Sequence, residues 1–112
     1  MKNIRKVFFD NHYAMTNETP KAMEFEHREN GDFIYILPNK QLTIVLHPEK
    51  VEADEELYNK ASKETHSTAL REFPKRAHTG KQPIQYGYAF VFQSNEECSQ
   101  FLKELEMTSM TQ

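Results

Sequence analysis

The residue types able to do chemistry in this chain are five histidines, one cysteine and a surplus of carboxylates. Histidine and thiolate hold transition metals, and histidine or a carboxylate moves protons near neutral pH. Spacing decides whether such groups act together. His12, His27, His47, His66 and His78 show neither HxxxH nor HxH spacing, so none of them is paired locally as a metal ligand. Cys98 falls on the inward stripe of an amphipathic segment and reads as a small buried hydrophobe, not as a nucleophile. No G-x-S-x-G elbow is present. His78-Thr79-Gly80-Lys81 resembles the end of a phosphate loop, but Lys75 stands where the first glycine is needed and Gln82 where Ser or Thr is needed. The sequence therefore assigns no catalytic residue, no cofactor-binding residue, no metal ligand and no cofactor.

Charge gives one further candidate. Arg71, Lys75, Arg76, His78 and Lys81 follow one another closely and are the candidate contacts to nucleic acid or another anion. Glu49, Glu52, Asp54, Glu55 and Glu56 crowd the other end of the same segment. Acid first and base last is also what the dipole of a single helix favours, so the layout follows from stability as readily as from binding.

The elements that position these residues read as follows. Residues 4–9 form a weak strand and 10–20 an irregular loop, together an N-terminal arm over 1–21. Residues 22–28 alternate as a strand, with Met23, Phe25 and His27 on one face and Glu24, Glu26 and Arg28 on the other. Asn30-Gly31 suits a type I′ turn, which would pair 22–28 with 32–37. Pro38-Asn39-Lys40 turns the chain into a third strand, 41–47, with Leu42, Ile44 and Leu46 on one face. Pro48 ends it. A helical rhythm of Leu57, Tyr58, Ala61, Thr65, Ala69 and Phe73 predicts one helix over 52–73, stopped by Pro74. Residues 86–92 alternate Tyr86, Tyr88, Phe90 and Phe92 with Gly87, Ala89 and Val91. Ser94 and Glu97 form a capping box, and Cys98, Phe101, Leu102 and Leu105 give the last helix its apolar stripe. Residues 107–112 read as a frayed tail. The order (β)βββαβα implies a single α+β domain over 1–112: a two-layer sandwich with a mostly antiparallel sheet of four to five strands and two helices on one face.

Gly87-Tyr88-Ala89-Phe90-Val91 resembles the middle of the RNP1 strand of the RNA-recognition motif, and Ile34-Tyr35-Ile36 the start of its RNP2 strand. The resemblance would make Tyr35, Tyr88 and Phe90 base-stacking residues. Tyr86 replaces the basic residue of that pattern, and Gln93 its last aromatic. The family also places a helix after RNP2, where Pro38-Asn39-Lys40 leads into another strand, so the chain is not assigned to it. The expected orientation instead puts Phe90 and Phe92 beneath the helices, with the tyrosines near the edges of the core and the small residues facing the opposite side. Tyr35, Tyr86 and Tyr88 are the candidate aromatic surface.

With 38% hydrophobic and 28% charged residues, the chain has the composition of a soluble globular domain. A net charge of −3 offers no global attraction to nucleic acid or acidic lipid, so such binding would need a local patch. No apolar run is long enough for a membrane span or a leader, and a lone cysteine fits a reducing compartment. The expectation is a cytoplasmic, non-enzymatic binding or regulatory module. It would act through a protein surface, on an unknown partner or by self-association as a homodimer, and not on a membrane. The alternative is a nucleic-acid-binding domain using an open aromatic sheet face and the basic loop.

Overall fold

The computed structural model describes residues 3–77 and 82–110. It confirms the α+β class and the mostly antiparallel sheet, with more strands and helices than the sequence implied. In chain order the elements are α1 (Ile4–Asp10), β1 (Tyr13–Thr19), β2 (Ala22–His27), β3 (Phe33–Leu37), β4 (Leu42–Leu46), α2 (Pro48–Glu52), α3 (Glu55–Lys60), β5 (Lys63–His66), β6 (Lys75–Arg76), β7 (Ile84–Phe92) and α4 (Asn95–Met110). The sheet runs β1-β2-β3-β4-β7-β5, with β6 pairing the start of β7. Every pairing is antiparallel.

Residues 4–9 are a helix, not a strand. Asn3 Oδ1 accepts from the Arg5 amide at 2.9 Å as its cap. Ile4, Val7 and Phe8 share one side at helical spacing, and all three pack on the core. Residues 13–19, expected as loop, form an edge strand. Thr19 Oγ1 accepts from the amides of Lys21 and Ala22, closing a tight turn around Pro20. The 22–27 and 33–37 strands pair as expected, but the turn is not type I′. Gly31 has φ +79°, whereas Asn30 is not among the residues with positive φ; its side chain accepts from the Asp32 amide at 2.8 Å instead.

The single helix expected over 52–73 is replaced by α2, α3, β5 and a run of turns. His47 Nδ1 caps α2, with Pro48 at its first position, so this proline starts a helix as well as ending a strand. Asp54 Oδ1 accepts from the amides of Glu56 and Leu57 and opens α3. β5 then pairs with β7. The apolar residues of this segment serve opposite faces of the sheet: Val51 and Leu57 join the larger core, Leu70 and Phe73 the smaller. One straight helix cannot reach both.

On the larger face, Phe90 and Phe92 lie against Phe101 of α4, each with centroids 5.1 Å apart, as expected. α1 shares this face, tied to α4 by Asn11 Nδ2 donating to Ser99 Oγ at 3.2 Å. Ser94 Oγ accepts from the Glu97 amide at 3.1 Å, and Glu97 reaches back to the Gln93 amide. α4 continues to Met110, through most of the expected frayed tail. On the smaller face, Ala22, Tyr35, Val45, Leu70 and Phe73 make a second core. Gly87 lies beneath Phe73; a Cβ there would sit 2.6 Å from Val45 Cγ1 and 2.7 Å from the Leu46 carbonyl, so the strand needs glycine. Among the described residues no helix is long and apolar enough to cross a membrane.

Candidate functional site

Among the described candidate anion contacts, Arg71 and Arg76 are each paired with carboxylates. Arg71 Nε and Nη2 both donate to Glu24, each at 3.0 Å. Arg76 donates to Glu64 at 2.8 Å, to Glu52 at 3.4 Å and to the Tyr86 oxygen at 3.1 Å. Lys75 is exposed on β6. His78 and Lys81 lie outside the described residues. Tyr35, Tyr86 and Tyr88, expected as an aromatic surface, are buried at 1, 7 and 8% exposure. The sheet's second face is covered in part by the 67–73 turns, where Tyr35 packs edge-on against Phe73, while Val91 stays exposed. Tyr86 is capped by the Arg76 guanidinium, 4.2 Å from its centroid. Tyr88 donates to Glu52 at 2.9 Å, and burial first, then this bond, pushes its pKa up to about 12.

Glu24 belongs to the polar side of the β2 pattern, yet it is 1% exposed. Tyr35 donates to its Oε2 at 2.6 Å and Thr16 to its Oε1 at 2.7 Å, beside the two bonds from Arg71. Burial alone would raise the carboxyl's pKa. The hydrogen bonds of Arg71, Tyr35 and Thr16 outweigh it and hold the group below the usual range. Burial and then the Glu24 bond push Tyr35 up. With every partner satisfied, this network ties β1, β2, β3 and the 67–73 turns together.

Two histidines do converge. His12 Nδ1 lies 2.9 Å and His27 Nε2 3.2 Å from the same Glu106 oxygen. The three ligand atoms lie within 4.8 Å of one another, a spacing that suits a metal ion. The hydrogen bonds of His27 argue otherwise. Its Nδ1 accepts from the amides of Glu29 and Asn30 at 3.2 and 3.3 Å, so the ring proton sits on Nε2. A protonated Nε2 donates to Glu106 and cannot also ligate a metal. The bonds of His12 and then His27 hold the Glu106 carboxyl below its usual range. The cluster fastens α4 to the start of β1, where His12 adopts φ +76°, a left-handed conformation uncommon for a residue other than glycine.

Beside this cluster is a cleft of about 290 Å³. Tyr13, Ile34, Leu46 and Leu105 give it apolar walls; Asp32, His47, Glu49 and Lys50 give it a polar rim. Each lining residue follows from its element. Tyr13 opens β1 opposite His27, Ile34 and Leu46 are cross-strand partners, and Asp32 follows the Gly31 turn. Lys50 Nζ sits 3.3 Å from Asp32 Oδ2. Tyr13 is only 5% exposed, and its ring packs edge-on to Phe8 and His27. Burial, then the charges of Asp32 and Glu106, push its phenol up. Among the described residues that hydroxyl has no protein hydrogen-bond partner, and it is not among the buried unpaired polar atoms, so it meets solvent in the cleft. An apolar hollow with a few convergent polar groups is what a recognition site requires.

The sequence drew attention to none of Tyr13, Asp32 and Lys50. His12 and Glu106 are 94 positions apart, so no local spacing announces their contact. Comparison of the chain with known protein families, with curated proteins and with solved structures returns no match.

Proposed function

We propose that the chain is a non-enzymatic binding module that engages a partner protein, with the Tyr13 cleft as the point of engagement. One observation carries this reading: a tyrosine hydroxyl lacking a hydrogen-bond partner among the described residues at the wall of an apolar cleft. The hydroxyl is left to solvent in the free protein and can exchange water for a partner's polar group on binding. Exposed Phe9, Met15 and Met107 belong to α1, β1 and α4, the elements that meet around Tyr13, and supply apolar area for a wider contact. The groups best suited to chemistry are already committed. Glu24 and Glu106 are held by their partners, and burial pushes the Cys98 thiol up to about 12, where it stays protonated. The buried free thiol also fits a cytoplasmic setting. The nucleic-acid alternative has weaker support, because Arg71 and Arg76 already donate to carboxylates.

A random-peptide display selection tests the proposal. Selected peptides should shift the backbone amide signals of Gly31, Asp32, Ile34 and Lys50. Peptides that bind tightly while leaving these signals in place would refute the assignment.

A further inference from the structure

The charges around the cleft say which side chain it would take. Its rim carries two carboxylates, Asp32 and Glu49, against one ammonium, Lys50. Glu106, hydrogen-bonded to His12 and His27 on either side of Tyr13 in the pairing of β1 and β2, adds a third carboxylate next to the cleft. The chain as a whole is negative, at −3. The position beside Asp32 already receives a cation, since Lys50 Nζ lies 3.3 Å from Oδ2. That distance is longer than the 2.7–2.9 Å of a tight charge-assisted bond. With side chains 30 and 43% exposed, the pair is one that a competing cation can displace at little cost. Tyr13 adds an oxygen that accepts as well as donates. Below the rim the walls are aliphatic, matching the hydrocarbon stem of a long basic residue whose charge stays at the mouth.

We infer that the cleft takes an arginine or lysine side chain of the partner protein, its stem on Ile34, Leu46 and Leu105 and its charged tip at Asp32 and the Tyr13 oxygen. This rests on the binding-module reading and gives it a specificity. Lys50 is then an internal competitor for the same carboxylate, not a contributor to affinity. The two partners of one ion pair therefore have opposite effects. Removing Asp32 weakens binding and removing Lys50 strengthens it, a pattern that a merely structural pair does not produce.

The experiment is a titration of the full chain with N-acetyl-arginine methylamide, followed by two-dimensional NMR at Gly31, Asp32, Ile34 and Lys50. The controls are the capped forms of citrulline, norleucine and glutamate. Saturable shifts with capped arginine are expected, with citrulline at least about five-fold weaker, the scale of one exposed ion pair. Asp32→Asn should weaken capped arginine by a similar factor, Lys50→Met should tighten it, and added salt should weaken it. Capped norleucine or glutamate binding as well as arginine at these amides would overturn the basic anchor and leave the cleft as the binding site. No saturable shift with any of the four would overturn the cleft reading together with the anchor.

Discussion

Two buried tyrosines allow one chemical change to be read in opposite directions. Tyr35→Phe and Tyr13→Phe each delete a single hydroxyl, at 1 and 5% exposure. The Tyr35 hydroxyl donates to the buried Glu24 carboxylate at 2.6 Å and accepts from the Glu72 amide at 3.0 Å. Deleting it removes a hydrogen bond to a charged group and orphans a donor. The expected loss is about 2–3 kcal/mol. At roughly 4 °C per kcal/mol for a domain of this size, the melting temperature should fall by about 8–12 °C. The Tyr13 hydroxyl has no such partner, so its removal should change stability by less than about 0.5 kcal/mol or raise it. Thermal unfolding followed by far-ultraviolet circular dichroism reads both, with exposed Tyr58→Phe as the control. Equal losses at positions 13 and 35 would refute the assignment of Tyr13 as unpaired. A Tyr35→Phe protein that melts like the parent would refute the Glu24 network as a tie between β1, β2, β3 and the 67–73 turns.

Other predictions follow from separate features. Gly87→Ala should cost about 1–3 kcal/mol in chemical denaturation, because its Cβ would press on Val45 and the Leu46 carbonyl. Glu24 and Glu106 both have folded-state pKa values below their unfolded ones. Their contribution is therefore present above pH about 4.3 and is lost as pH falls below it, so the denaturation midpoint should drop on acidification from pH 5 to pH 3. Zinc at a moderate excess should leave the melting temperature unchanged, because the two amides on His27 Nδ1 keep its proton on the nitrogen that would have to ligate; a rise with zinc would contradict that tautomer.

What could be read from the sequence was what repeats locally. The β2–β4 strands and the β7–α4 unit alternate or cap in ways that a few neighbouring residues reveal, and Phe90 and Phe92 point where burial of the larger face demands. α1 was mistaken for a strand because Val7-Phe8-Phe9 is a short apolar run, whose helical partner Ile4 is a single residue. β1 was missed because an edge strand needs few apolar residues; beyond Tyr13 none of its positions is buried, and Thr16, Asn17, Glu18 and Thr19 are polar. The helical rhythm over 52–73 was real in spacing but false in structure. Leu57 and Phe73 belong to opposite cores, and the edge of β7 captured 63–66 as a strand. Tyr35 and Glu24 looked like surface residues because their face of the sheet has no helix over it, and nothing local announced that the 67–73 turns would cover this part of it. The cleft was invisible for a related reason: Tyr13, Asp32, Lys50 and Leu105 come from four parts of the chain and meet only after folding.

The central claim is that the Tyr13 hydroxyl is held for a partner. Its most direct test is the ratio of dissociation constants of a display-selected peptide for Tyr13→Phe and for the parent. A hydrogen bond formed by a hydroxyl that the free protein leaves to solvent is worth about 0.5–1.5 kcal/mol net, which predicts a loss of about two- to ten-fold, in a variant that melts no lower than the parent. A ratio near one, with the variant equally folded, would contradict it.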